Sequence, residues 1–424
     1  MSKNIEVKHK ALVPRLRFPE FRDDVTWKMS HLNHVLVKIS NGLTLDQNND
    51  STGFMVTRIE TISNNAIDTS KTGFVNTDQD ISQYRLNIGD ILFSNINSLS
   101  HIGKCVIVER DYRLYHGMNL LRLEVELSAN NSKFIYYLLN SEPVRSSIKA
   151  RANKAVNQAS INQTELGRTS IIVPKRSEQQ KIADCLSSLD TLIAAQADKI
   201  EALKTHKKGL MQQLFPREGE TVPRLRFSEF LDAGEWEDKC LGQIGEIVTG
   251  KTPSTNDESL WNGSIQFVTP TDITEEKYQL NTRRSVVGSA TGKLLPKYST
   301  MFTCIASIGK IALSIKPCIT NQQINSVIPK IGYENQFIYY SLLNIIPLIK
   351  ATQANSTLPI INKTEFSKFT ISVPIDFSEQ QTIADCLSSL DALISAHTKK
   401  LNALKTHKKG LMQQLFPVLD EVQE

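Results

Sequence analysis

The chain has 424 residues, long for one small domain and ample for two or three. Forty per cent of it is apolar and 22% charged, which excludes a disordered chain and leaves enough side chains for sizeable cores. The 49 Lys and Arg exceed the 44 Asp and Glu by only five, so net charge does not mark a nucleic-acid binder and any basic surface must be local.

The opening residues, Met1 to Phe18, carry basic side chains with no apolar run behind them and do not read as a secretory signal. No apolar stretch anywhere approaches the ~18 residues of a membrane span. Six cysteines (Cys105, Cys185, Cys240, Cys304, Cys318, Cys386) form no CxxC pair, which predicts reduced thiols and a cytoplasmic location.

Residues 1–176 read as an N-terminal segment and a first α+β unit. Short β-branched runs at Gly89–Phe93 and Cys105–Val108 predict strands, and Lys133–Asn140 predicts a helix. Two basic and amide-rich loops are expected, over Ser94–Lys104 and Lys149–Gln158. Residues 177–216 predict one long helix. Ile182, Leu186, Leu189, Ile193, Gln196, Ile200, Leu203, Lys207, Leu210 and Leu214 step by four and three without a break, the seam of a coiled coil about 60 Å long. Ser177 with Gln180 predicts a capping box, and Pro216 a stop.

Residues 217–377 form a second α+β unit, with strands expected at Thr300–Cys304 and Ile311–Ile315 and a helix at Gln336–Asn344. Residues 378–417 predict the second long helix, again with a capping box (Ser378, Gln381), and 418–424 a short tail. Its seam runs through Ile383, Leu387, Leu390, Ile394, His397, Leu401, Leu404, Lys408, Leu411 and Leu415.

The two halves are copies. Val13-Pro-Arg-Leu-Arg-Phe18 returns at Val222–Phe227, and 32 of the 40 positions from Ser177 to Pro216 match those 201 residues later. The bodies between have diverged, although Phe134-Ile-Tyr-Tyr137 still echoes Phe337-Ile-Tyr-Tyr340. Two different readers on a shared scaffold fit this pattern, with the two helices pairing antiparallel in one coiled coil. Packing of each stripe on its own globular body is the alternative. Lys207 and Lys408 are expected to extend their charges into water, and Gln196 and His397 to be either solvent-edge positions or register markers. Gly209 and Gly410 each weaken a helix by about 1 kcal/mol relative to alanine, which a kink or a close approach by another protein would explain.

Catalytic patterns are scarce. Gly245-Glu-Ile-Val-Thr-Gly-Lys-Thr252 spells a phosphate-binding loop, but a polar stretch precedes it and Pro253 follows, where a buried strand and a helix are required. A glycine turn is the expected account. No G-x-S-x-G, H-E-x-x-H or glycine-rich dinucleotide loop is present, nor the Asn-Pro-Pro-aromatic tetrapeptide of an adenine methyltransferase. The chain reads as a binder. The candidate DNA contacts are Arg58, Asn95, Asn97, Lys104, Arg151, Asn153 and Lys154 in the first unit, with Lys251, Thr252, Thr271, Arg283, Arg284, Lys310, Gln353 and Asn355 in the second. Arg and Lys suit phosphates and guanine edges, Asn and Gln suit adenine. A solvated loop is the plainer reading of each one singly.

The ordered set resembles the specificity subunit of type I restriction–modification systems over nearly the whole chain. It rests on the duplicated unit, the E-Q-Q-x-I-A helix starts at Glu178 and Glu379, the repeated Leu203–Pro216 and Leu404–Pro417, and the openings around Trp27 and Leu241–Ser254. The resemblance implies two target-recognition domains, each reading half of a bipartite double-stranded DNA site, with the helices as the ruler of the unread gap. It implies two methyltransferase subunits docked on the scaffold, with Leu186, Leu189, Ile193, Leu203, Leu210, Leu387, Leu390, Ile394, Leu404 and Leu411 in the coiled coil, and restriction–translocase subunits beyond. S-adenosylmethionine, ATP and magnesium are expected on those partners, with no metal, cofactor or catalytic residue on this chain. The first unit departs from the family opening, since Asn41-Gly-Leu-Thr44 lacks the Lys-Thr-Pro of the second. The competing readings are a nucleotide-dependent enzyme using Lys251 and a coiled-coil adaptor between protein-binding domains.

Overall fold

The computed structural model describes residues 12–63, 66–98, 102–155, 158–288, 293–353 and 360–417. The chain divides into two compact units, Met1–Ala195 with Leu401–Glu424, and Gln196–Lys400. Each holds one globular body and half of each long helix.

The first body begins with strands β1 (Lys28–His31) and β2 (Leu36–Asn41) and a hairpin of β3 (Phe54–Val56) and β4 (Gly73–Val75). Strands β5 (Ile91–Phe93), β6 (Ile96–Asn97), β7 (Cys105–Ile107) and β8 (Leu121–Val125) lead to helices α1 (Ser132–Asn140) and α2 (Glu142–Arg151). Then come β9 (Asn153–Ala155), β10 (Gln158–Ser160), a short α3 (Gln163–Gly167), β11 (Ser170–Val173) and the long helix α4 (Arg176–Leu214). The central sheet has the order β2-β8-β5-β7, β1 and β11 form an antiparallel ribbon, and β6-β10-β9 make a small separate sheet. Asn131 caps α1 by accepting from the Phe134 amide at 2.9 Å. Phe134, Ile135, Tyr137 and Leu138, on one face of α1, bury against the sheet.

The second body repeats the plan. It contains β12 (Glu237–Cys240), α5 (Leu241–Ile244), β13 (Gly245–Thr249), β14 (Trp261–Val268), β15 (Tyr278–Gln279), β16 (Arg284–Val286), β17 (Thr300–Thr303), β18 (Ile311–Ser314), β19 (Cys318–Thr320) and β20 (Ile324–Pro329). Helix α6 (Asn335–Gln353), α7 (Lys363–Ser367) and β21 (Thr370–Val373) follow, then the second long helix α8 (Phe377–Leu415). The sheet β13-β20-β17-β18-β15 matches β2-β8-β5-β7 with one strand added, β12 and β21 reproduce the ribbon, and β16-β14-β19 form a second sheet. Helix α6 runs past the expected end at Asn344, through Pro347, because Ile346 and Ile349 are buried in the core and outweigh the lost backbone hydrogen bond.

The two repeated motifs prove to be halves of one lock. Arg17 donates from Nε and Nη2 to both carboxylate oxygens of Glu178, each at 2.8 Å, and the Trp27 indole N–H donates to the same Glu178 at 3.2 Å. In the second unit Arg226 grips Glu379 at 2.8 and 2.7 Å, with Trp236 at 3.3 Å. Both carboxylates are about 1% exposed. The neighbouring glutamines bridge body to helix: the Asn131 amide donates to Gln179, and the Glu334 amide to Gln380. An aromatic cluster closes each junction, Trp27, Phe134 and Phe416 in one unit and Trp236, Phe337 and Phe215 in the other.

Within each unit the halves of α4 and α8 run antiparallel. Lys408 on α8 donates to Asp190 on α4 at 2.5 and 2.7 Å, and Tyr137 of α1 donates to the same carboxylate at 2.7 Å. In the second unit Lys207 donates to Asp391 at 2.6 Å, joined by Tyr340 of α6 at 2.5 Å. The lysines expected to reach into water are therefore paired across the helices, with Lys207 only 14% exposed. Gln196 is buried, its side-chain amide against His397 Nδ1 at 2.5 Å and donating to the His397 carbonyl at 3.0 Å, so this polar layer lies inside the seam. Leu186 and Leu387 are fully buried, and Leu189, Ile193, Leu203, Leu210, Leu390, Ile394, Leu404 and Leu411 half-buried.

Two local expectations are corrected. Neither long helix has the Ser–Gln capping box. Lys175 O accepts from the Glu178 and Gln179 amides at the first start, Asp376 accepts from Ser378 at the second, and Gln180 and Gln381 turn instead to Asp184 and Asp385. Within Lys149–Gln158 the described residues are the end of α2, then β9 and the start of β10, since Val144 and Ile148 supply a buried helical face that the basic residues obscure. Gly209 and Gly410 lie in unbroken helix, and among the described residues nothing beyond the local helix backbone comes within 4 Å of an added Cβ.

Candidate nucleic-acid interface

In the first unit the small sheet gathers one group of candidates. Asn97 of β6 and Lys154 of β9 flank Ala159 of β10 in register, and Asn153 pairs with Ser160. Asn95 accepts from the Ile161 amide through its backbone, and its buried side-chain oxygen has no hydrogen-bond partner among the described residues. Lys104 joins from the adjoining turn, its carbonyl accepting from the Ser94 amide and its ammonium donating to Ser63 O at 3.3 Å. Asn153, Lys154 and Arg151 are exposed, Arg151 only 3.9 Å from Glu165. Arg58 stands apart. Its nitrogens donate to Gln47 at 2.9 Å, Asn49 at 2.8 Å and Asn48 O at 3.1 Å, which makes it a brace of the loop before β3.

In the second unit the Asp272 side chain organises a turn. It accepts from the Thr269 amide and hydroxyl and from the Arg283 amide at 3.0 Å, while Thr271 contacts Thr269. Lys310 donates to Pro270 O at 3.2 Å, which brings Thr271, Arg283 and Lys310 together. Arg284 opens β16 and lies over the Trp261 ring. Gln353 ends α6, and Asn355 lies outside the described residues.

The apparent phosphate loop is a strand. Gly245–Thr249 is β13, paired with β20, and Lys251 to Ser254 belong to no helix or strand, with only the single 3-10 turn Glu258–Leu260 before β14. A Cβ on Gly250 would lie 2.3 Å from the carbonyl oxygens of Thr320 and Asn321. Gly42, its counterpart, packs as tightly against Gly117 O. Both glycines permit strand contact. The Lys251 amide donates to Thr320 O at 2.9 Å and Thr252 to Gln322 at 2.6 Å, which uses the groups a phosphate would need.

Sequence reading missed Lys277. It is buried in the second unit and donates to Gln336 at 2.5 Å, Ser388 at 2.7 Å and Tyr340 at 3.0 Å. Burial, countered by the Asp391 charge, lowers its pKa to about 8. Its place in the chain, among polar residues before β15, gave no sign of this. Among the described residues no group of three His, Cys, Asp or Glu could hold a metal, and no helix is long and apolar enough to cross a membrane.

The family described as the type I restriction modification DNA specificity domain matches the chain twice, over residues 24–205 and 233–406. The chain belongs to this family. It is a specificity subunit of a type I restriction–modification system with two DNA recognition domains, one per match. It is 33% identical over 400 residues to a Methanocaldococcus jannaschii chain provisionally assigned as the type I restriction enzyme MjaX specificity subunit, covering 92% of both chains. The Escherichia coli EcoR124I/EcoR124II specificity subunit is 30% identical over 286 residues, 63% of this chain and 65% of that one. The fold is that of the type I S subunit from M. genitalium, with a TM-score of 0.64, 17% identity, and 96% of this chain and 99% of that chain covered. A second solved chain, described in a study of type I system assembly, gives 0.56 at 16% identity over 92% and 97%. Specificity subunits of this family are non-catalytic components.

Proposed function

We propose that each unit reads one half of a bipartite, asymmetric site on double-stranded DNA, and that the paired helices set the unread gap. The observation that carries this is the contrast inside the chain. The junction locks recur contact for contact and the helix clasps residue for residue, whereas the polar loops differ, with Asn95, Asn97, Asn153 and Lys154 on one body and Thr271, Arg283 and Arg284 on the other. Bodies within 1–176 and 217–377 then read different sequences from equivalent positions. Exposed Arg and Lys hold phosphates or guanine edges, and the exposed Asn153 faces base edges.

The nearly identical outer faces of α4 and α8 offer two equivalent docking places, one for each of two methyltransferase subunits, with restriction–translocase subunits joining the assembly. S-adenosylmethionine, ATP and magnesium serve those partners, which carry the chemistry. The complex works in the cytoplasm, where the DNA is. The test is genome-wide adenine methylation in cells with and without the gene, alongside its methyltransferase partner. A bipartite motif with a fixed gap that vanishes on deletion supports the reading. Unchanged methylation, with both proteins expressed and associated, refutes it.

A further inference from the structure

The second unit holds an arginine that lies on an aromatic ring and, among the described residues, has no side-chain hydrogen bond or ion pair. Strand β14 carries a bulge between Trp261 and Ile265, both of which pair with Val286 of β16. Asn262 adopts a φ of 62°, and Gly263 lets the strands close, since a Cβ there would lie 2.3 Å from Val286 O. The bulge sets Trp261 opposite Val286, beside Arg284, which is two residues back on the same face of β16. The Arg284 guanidinium carbon lies 3.4 Å from the indole centroid, the distance of a flat stack. The platform itself is fixed. Trp261 is 6% exposed, donates from Nε1 to Ser254 O at 2.9 Å, and meets Phe267 edge-on at 5.3 Å.

Stacking uses the face of a guanidinium and leaves its N–H edge in the plane. Arg284 is exposed, and among the described residues that edge has no hydrogen-bond or ion-pair partner. Arg17 and Arg226 spend theirs on buried carboxylates, and Arg58 on its loop. An arginine held in one pose has already lost the rotamer freedom that a loose one would lose on binding. Its planar fork matches the N7 and O6 acceptors of guanine in the major groove. Lys251, Arg283 and Lys310 are exposed in the same body to hold phosphates.

We propose that Arg284, stacked on Trp261, reads a guanine in the DNA half-site of the second unit through a bidentate contact to N7 and O6. This rests on the proposal that the chain reads bipartite DNA. The test uses the assembled complex of this chain with its methyltransferase subunits and duplexes carrying the methylation motif. Replacing the second body identifies its half-site, and 7-deazaguanine, which lacks the N7 acceptor, is then placed at each guanine in turn. One position should weaken wild-type binding by about 5- to 150-fold. Arg284→Ala should lose a similar factor on the natural duplex, lose nothing more at that position, and melt with the wild type. Arg284→Lys should not restore binding, and Trp261→Phe should lose less than Arg284→Ala at the same guanine alone. A half-site without guanine, or unchanged binding by Arg284→Ala, overturns the assignment. So does equal weakening on every duplex with the salt slope reduced by about one, the behaviour of a phosphate contact. A wild-type complex that binds all duplexes alike sinks the bipartite reading itself, and the guanine assignment with it.

Discussion

Removing Glu379 tests whether the junction lock holds the second body to its helix. Glu379→Ala leaves the buried Arg226 without the acceptor for Nε and for one contact of Nη2, and the Trp236 N–H without its partner. Loss of one member of a buried ion pair costs about 3–5 kcal/mol. The lower end applies, because Arg226 keeps the carbonyls of Ala233 at 2.7 Å and Gly234 at 3.0 Å. About 3 kcal/mol, at a urea slope of about 2 kcal/mol/M, moves the midpoint of the second unit down by about 1.5 M. Urea unfolding followed by tryptophan fluorescence, which sees Trp236 directly, is the assay. Glu178→Ala should do the same to the first unit, where Trp27 reports. The double change Arg226→Met with Glu379→Leu should recover most of the loss, since no orphaned charge remains. A loss below 1 kcal/mol in the single variant, or a double variant less stable than the single, would refute the lock.

Lys277→Met should expose a pH dependence. The folded chain releases the Lys277 proton near pH 8 and the unfolded chain near 10.5, so wild-type stability relative to the variant should rise across that window and be lowest below pH 8. A flat difference in melting temperature from pH 7 to 10 would rule out the burial cost. Asp391→Asn should cost about 2 kcal/mol and Asp190→Asn less than about 1 kcal/mol, since the Lys207–Asp391 pair is 14% and 20% exposed and the Lys408–Asp190 pair 21% and 40%. Equal losses in thermal unfolding would show that solvent screening is not what separates them. Gly209→Ala should stabilise the isolated chain by up to about 1 kcal/mol, there being nothing within 4 Å to clash. If the same change reduces co-purification of the methyltransferase subunit, the open space beside Gly209 is a docking surface; unchanged recovery argues against that. Gly250→Ala should unfold or loosen the second body while Lys251→Ala leaves its melting unchanged, and the reverse order would revive the phosphate-loop reading.

The repeat, the long helices and their seam were legible because each rests on sequence identity or on a strict four–three spacing. The lock was half legible. Arg17 and Glu178 stand in motifs that recur together, but they are 161 residues apart, and nothing local says that they touch. The lysines of the seam were misread for the same reason, since their partner aspartates lie on the other helix. Candidate DNA residues were legible only as residue types. Arg58 and Arg284 look alike in sequence, yet one is tied to three loop groups and the other to an aromatic ring through a bulge that Asn262 and Gly263 set up.

The clasp has a consequence for how such a chain can change over generations. Asp391 meets Lys207, and Asp190 meets Lys408, so each copy of the helix finds its counter-charge in the other copy. A substitution in one repeat is felt by its duplicate, and the two are held to a common text. Each globular body needs to keep only the few residues that meet the helices, such as Arg226, Glu334 and Tyr340, and the rest is free to be rewritten. Inheritance is thus conservative where the molecule meets itself, and permissive where it meets the genome.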